Sequence, residues 1–210
     1  MIRICTIQTE TLPPSEQLLG AISFDVGEDR RRALSRSKTA CESLAGLYLL
    51  QKMAADAGVE LFGKSLAYEA GGRPYFPGLP LDFSITHTAS LVACALSLPT
   101  SPDVPPVRIG LDAEALGARS LESMERIASR FFTNAEREVF LASPDESTFL
   151  KIWTGKEALC KQDGIGLSGI AQFDTLAPEN RLRLTLYHTP SAILTLAASV
   201  ACECVFEGER

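Results

Sequence analysis

The sequence predicts an α+β protein made of two similar halves, and three observations carry that prediction. Pro99, Pro102, Pro105 and Pro106 put a linker at the middle of the 210-residue chain, dividing it into 1–104 and 105–210. On each side the hydrophobic pattern passes from helical spacing to the alternation of strands, and each side closes on a strand pair. No letter-for-letter repeat accompanies this order, so duplication rests on the succession of elements alone. Composition supports a self-sufficient core, because 46% hydrophobic and 22% charged residues are ordinary for a globular chain.

The elements follow in order. Residues 1–7 read as an opening strand. The stretch 30–57 has a strongly basic start and places Leu34, Cys41, Leu44, Leu47, Leu50 and Met53 near helical spacing. It predicts one long amphipathic helix, which Gly58 ends. Residues 66–69 suit a short strand, and Gly71-Gly72-Arg73-Pro74 is turn chemistry. Residues 83–87 alternate as a strand, and 91–98 read as a buried one. Beyond the linker, 107–114 alternates again. Thr133-Asn134-Ala135-Glu136 has the form of a capping box before a helix through Leu141. A further helix carries Trp153, Glu157 and Lys161, 164–168 is a turn, and strands at 182–188 and 192–204 close the chain.

Charge and cysteine usage narrow the function classes. A net charge of −6 argues against broad nucleic-acid binding, which requires a basic face, and leaves room for a local pocket for a phosphorylated small molecule. No secretion signal and no apolar run of membrane-spanning length is legible, so a cytoplasmic protein with no membrane association is expected. The six cysteines are scattered, and His87 and His188 lie far from Cys202 and Cys204 in sequence. Zinc therefore has weak support, and buried free thiols are expected.

The chemistry concentrates in a few residues. Four-residue spacing puts the single tryptophan, Trp153, on one helix face with Glu157 and Lys161. Strand alternation puts Gly110, Asp112 and Glu114 on one face of 107–114. Like charges so placed repel unless a cation sits between them. With Glu157 added, three carboxylates suit one hard divalent ion such as magnesium, while Lys156 and Lys161 supply positive charge for a phosphoryl group. Taken singly, each group reads more readily as structure. Asp-x-Glu suits a solvent-facing strand edge, Glu157 and Lys161 an i, i+4 ion pair, His87 a hydrogen-bonded turn residue, and Arg73 an exposed side chain. Their joint occurrence in this order is what points to a site.

Five motifs in register then carry a resemblance. Gly72-Arg73-Pro74-Tyr75-Phe76, Phe83-Ser84-Ile85-Thr86-His87-Thr88, Ile109-Gly110-Leu111-Asp112-Ala113-Glu114 and Arg130-Phe131-Phe132-Thr133 with Glu136 precede Trp153-Thr154-Gly155-Lys156-Glu157-Ala158 with Lys161. Over about residues 36–173 the chain resembles the 4'-phosphopantetheinyl transferase superfamily, in its longer Sfp type. The resemblance implies a pseudo-twofold pair of α+β halves. The first would face the nucleotide side of coenzyme A, and the second would hold the metal and the catalytic helix. It implies Mg2+ on Asp112, Glu114 and Glu157, and transfer of the 4'-phosphopantetheine arm to a serine of an apo acyl or peptidyl carrier protein. Glu157, Lys161 and His87 would be catalytic, and Arg36, Lys38, Arg73, Thr86, His87, Lys156 and Lys161 would bind coenzyme A. A monomer is expected, since two halves form internally a cleft that shorter relatives build between subunits. One position departs from the family: Glu42 stands where an arginine often reaches the nucleotide end. A magnesium-dependent phosphohydrolase and a non-catalytic coenzyme A or carrier-binding module are the competing readings.

Overall fold

The structure is a computed structural model that describes residues 1–34, 40–200 and 204–207 and the backbone of 208–209. The mixed α+β class is as expected. One sheet has the order β4-β5-β1-β9, from β1 (Ile2–Gln8), β4 (Asp82–His87), β5 (Leu91–Ser97) and β9 (Cys204–Glu209). A second has the order β6-β8-β7, from β6 (Ile109–Ala115), β7 (Leu184–His188) and β8 (Ala192–Ala198). Two short strands, β2 (Ala67–Tyr68) and β3 (Pro74–Tyr75), pair around the Gly71-Gly72 turn.

Strand alternation explains how these sheets stack. In β5, Val92, Cys94 and Leu96 belong to a core cluster shared with the first-half helices, while Leu91, Ala93 and Ala95 belong to another. That second cluster is completed by Ile109, Leu111 and Ala113 of β6 and by Leu194 and Leu196 of β8, so it lies between the two sheets. A third cluster joins the other face of β8, through Ile193 and Ala197, to the second-half helices. Three apolar interlayers thus separate four layers, helix, sheet, sheet and helix. Central strands covered on both faces are buried at every position, as β5 and β8 are.

The helices are α1 (Ser15–Ala21), α2 (Glu28–Leu34) and α3 (Ala40–Asp56) in the first half. The second half has α4 (Leu121–Phe131), α5 (Asn134–Ala142), α6 (Glu146–Asp163) and the short α7 (Pro178–Arg181). Where one helix over 30–57 is expected, α2 and α3 stand on either side of undescribed residues, and Gly58 (φ 75°) follows α3. The capping box is complete: Glu136 N–H donates to Thr133 Oγ1, and Thr133 N–H donates to Glu136 Oε2. Of the expected strand over 192–204, β8 ends at Ala198, and a separate strand, β9, begins at Cys204 and pairs parallel with β1 in the first-half sheet. Among the described residues no helix is long and apolar enough to cross a membrane, and Cys41, Cys94 and Cys160 are free thiols.

The two sheets meet where β4 runs beside β6, and side chains replace the missing ladder. Ile109 N–H donates to Asp82 Oδ2 at 2.7 Å, Leu111 N–H donates to Ser84 Oγ at 2.9 Å, and Thr86 Oγ1 donates to Asp112 Oδ1 at 3.3 Å. The polar residues 82, 84 and 86 therefore face β6, while Phe83 and Ile85 pack into the first-half core. This satisfies an edge strand without extending either sheet.

Candidate functional site

The site is built where α6 lies on β6, and Gly110 permits the contact. A Cβ at Gly110 would meet Ala158 O at 2.0 Å and Gln162 N at 2.4 Å, so no larger residue lets the helix approach this closely. Gly164, in the left-handed conformation, ends the helix. The close packing brings Lys161 Nζ to 2.7 Å from Asp112 Oδ1 and 3.0 Å from Leu111 O.

Glu157 lies one turn before Lys161, beside Asp112. Burial first, then the charge of Asp112, pushes the Glu157 carboxyl up to about 9; Glu114 raises it further and Lys161 opposes the rise. Among the described residues, and with Glu157 ionised, Asp112 Oδ2 is buried without a hydrogen-bond donor. A proton held on Glu157 supplies the donor that Asp112 then accepts from. Glu114 is held differently, because Arg119 Nη2 at 2.6 Å and Trp153 Nε1 at 2.9 Å both donate to its Oε1. Trp153 stacks on Phe149 at 6.2 Å and leans on Phe131 at 5.8 Å. Among the described residues, no three His, Cys, Asp or Glu side chains stand close enough to enclose a metal ion. The three expected carboxylates are adjacent acids with other partners rather than a closed cage.

Glu157 and Lys161 form one wall of a cleft of ≈ 430 Å3, with Arg30, Tyr68 and His87 on the first-half side. His87 is exposed at the end of β4. Partial burial against the cleft holds its pKa below the ordinary histidine value; Glu42 and Asp112 pull it up, while Lys161 pushes it down. The charge of Glu42 acts on His87 because α3 crosses β4 with Gly46 against Ile85, where a Cβ would lie 2.3 Å from Ile85 Cγ2. One turn earlier on α3, Glu42 keeps a buried Oε2 without a hydrogen-bond partner among the described residues.

Three expected cofactor contacts take other roles. Lys156 is wholly buried on the far side of α6, where Nζ donates to Glu136 Oε2 at 2.7 Å and to Phe173 O, so it adds no charge beside the carboxylates. Helical geometry explains the correction: Lys156 is one residue, about 100°, from Glu157. Arg73 turns inward rather than being presented to a ligand. Its guanidinium donates to both oxygens of Asp82 at 2.8 and 2.6 Å, to Ile109 O at 2.7 Å and to Lys161 O at 3.0 Å. A cation at the carbonyl end of α6 offsets the helix dipole, and Arg108 does the same at Gln162 O at 2.5 Å. The Thr86 hydroxyl is engaged by Asp112. Arg36 and Lys38 lie outside the described residues.

Sequence reasoning missed Arg119, Tyr68 and Arg108. Arg119 sits in a loop with no periodicity to mark it, Arg108 joins the halves by donating to both oxygens of Glu69, and Tyr68 matters through its place in the cleft lining. Gly71 is similar: a Cβ there would lie 1.6 Å from Gly164 O, so the Gly-Gly turn serves a backbone approach as well as a reversal.

The chain also matches known proteins. The family model of the 4'-phosphopantetheinyl transferase superfamily matches residues 108–202, which include β6 and α6. A 4'-phosphopantetheinyl transferase of Bacillus subtilis is 33% identical over 158 residues, 73% of this chain and 65% of its own length. The 4'-phosphopantetheinyl transferase HetI of Nostoc sp. is 30% identical over 178 residues, 81% of this chain and 68% of its own length. The 4'-phosphopantetheinyl transferase Sfp of Bacillus subtilis strain 168 is 41% identical over 101 residues, 46% of this chain and 40% of its own. The chain thus spans about two thirds of the length of the first two relatives. With that match added to the strand-and-helix site, the chain belongs to the 4'-phosphopantetheinyl transferase superfamily.

Proposed function

We propose that this chain transfers the 4'-phosphopantetheine arm of coenzyme A to a serine of an apo acyl or peptidyl carrier protein, releasing adenosine 3',5'-bisphosphate. The observation that carries the reading is the cleft wall in which Glu157 and Lys161 of α6 flank Asp112 of β6. The serine oxygen attacks the phosphorus bearing the pantetheine arm. The bond from that phosphorus to the bridging oxygen breaks, and the nucleotide leaves with the electron pair. Glu157, in its ionised form, takes the serine proton, and its position beside Lys161 keeps both groups on one side of the reacting phosphorus. Lys161 offsets charge on the transferring group, and His87 donates a ring N–H from the opposite wall.

A divalent cation, Mg2+ in this proposal, suits the donor set. Among the described residues Asp112 Oδ2 is buried without a hydrogen-bond donor, both donors to Glu114 fall on Oε1, and burial together with the charge of Asp112 keeps a proton on Glu157. A hard cation relieves that repulsion and neutralises the diphosphate. Asp112, Glu114 and Glu157 would hold it. The halves 1–104 and 105–210 are proposed as a pseudo-twofold pair, each with helices on the outer face of its sheet, supported by the layered cores. The nucleotide end of coenzyme A is assigned to the first half.

The test is mass spectrometry of apo carrier proteins incubated with the chain, coenzyme A and Mg2+. The expected result is a gain of one phosphopantetheine mass; no gain on several apo carriers overturns the activity. A Glu157→Ala variant that keeps the full rate overturns the site assignment alone.

A further inference from the structure

Trp153 is the only tryptophan in the chain, and burying it in α6 leaves its indole N–H in need of an acceptor. It finds one outside its own aromatic cluster. Stacking on Phe149 with an interplanar angle of 12° and contact with Phe131 fix the ring, and the ring directs Nε1 to Glu114 Oε1 across the helix–strand junction. Arg119 reaches the same oxygen from the loop after β6. A carboxylate gripped on one oxygen by two donors has a fixed plane, and its second oxygen keeps both lone pairs. We infer that Trp153 is a positioning residue for a divalent cation: its indole N–H orients Glu114 so that Oε2 is the oxygen offered to the ion. The inference rests on the metal reading above. It also gives a physical reason for the tryptophan, since phenylalanine would fill the same aromatic cluster and lack the donor.

A group that orients a metal ligand through a hydrogen bond changes metal affinity by roughly 10–100-fold when removed. The experiment uses the full chain and Mn2+ as the probe, with free Mn2+ read by electron paramagnetic resonance. Trp153→Phe keeps the apolar ring and loses the N–H, and it should weaken Mn2+ binding about tenfold while circular dichroism shows an unchanged fold. A folded variant that binds Mn2+ as tightly as the parent overturns the inference. A parent chain that takes up no Mn2+ overturns the metal reading and this inference with it. A second measurement needs no tryptophan variant. The single indole N–H resonance should shift as Mg2+ is added and saturate at the affinity measured for the ion, and Glu114→Ala should abolish the shift. Saturation without movement of that resonance also overturns the inference.

Discussion

Lys161 and Asp112 form an ion pair across the α6–β6 junction, with Nζ 2.7 Å from Oδ1. Beside that pair, burial first and then the charge of Asp112 keep a proton on Glu157. Lys161 is the positive group that restrains this effect; Lys161→Gln should raise the Glu157 pKa further.

That proton makes stability depend on pH in a defined direction. The folded pKa of Glu157, about 9, is raised above the ordinary value of 4.5, so the folded form binds the proton more tightly than the unfolded form. The stabilisation is fully present below the ordinary carboxylate range and is lost as pH rises toward 9. Thermal melts in a chelator should show a melting temperature that falls across this window, and Glu157→Gln should flatten the slope. Adding Mg2+ at pH 7 should release a proton, measurable by calorimetry in buffers of different ionisation enthalpy; no release argues against Glu157 as a ligand.

Glu42, next to the cleft-lining Ser43 on α3, carries a charge that does not suit a phosphorylated ligand. Glu42→Arg should tighten coenzyme A binding by about tenfold, the scale of one added charge-assisted hydrogen bond. Calorimetric titration checks it, and unchanged affinity overturns it. In Glu42→Gln the His87 resonance should titrate lower than in the parent, because a carboxylate that raises its pKa is gone.

Lys156 is expected to matter for stability and not for ligand affinity. Lys156→Met leaves Glu136 buried without its cation, a change that costs about 3–5 kcal/mol. Denaturant melts should show that loss, while the folded fraction binds coenzyme A as the parent does. A variant of full stability with weakened binding would return Lys156 to the site.

Gly110 and Gly20 give a matched pair. Gly110→Ala forces a Cβ against backbone atoms of α6 that cannot yield, and about 3 kcal/mol of destabilisation is expected. Gly20, in α1, has nothing within 4 Å of an added Cβ, so Gly20→Ala should stabilise by about 0.5–1 kcal/mol. Chemical denaturation of the two variants reads both signs.

Much of the fold was legible because it is written in local pattern. The alternation of 107–114 places Asp112 and Glu114 as β6 does, and Thr133 with Glu136 marks a helix start that the structure completes. The first-half strands follow for the same reason. Missed were α1 and α4, along with β9, which begins at Cys204 and joins the first-half sheet. Nothing in so short a strand names its sheet, and only the partner available in space selects one.

The sequence by itself determined the class, the strand and helix carrying the acids, and the face on which Trp153, Glu157 and Lys161 lie, since each follows from periodicity within one element. The tertiary structure decided what those residues do to one another. It turned Arg73 inward to the end of α6, sent Lys156 to Glu136, and put Arg119 and Trp153 on a single oxygen of Glu114. Such pairings depend on which elements are adjacent and how closely they approach, a distance set here by glycines at 71 and 110 meeting backbone from a distant part of the chain. Long polar side chains reach several partners from one backbone position, so local pattern leaves the choice open until packing and desolvation make it.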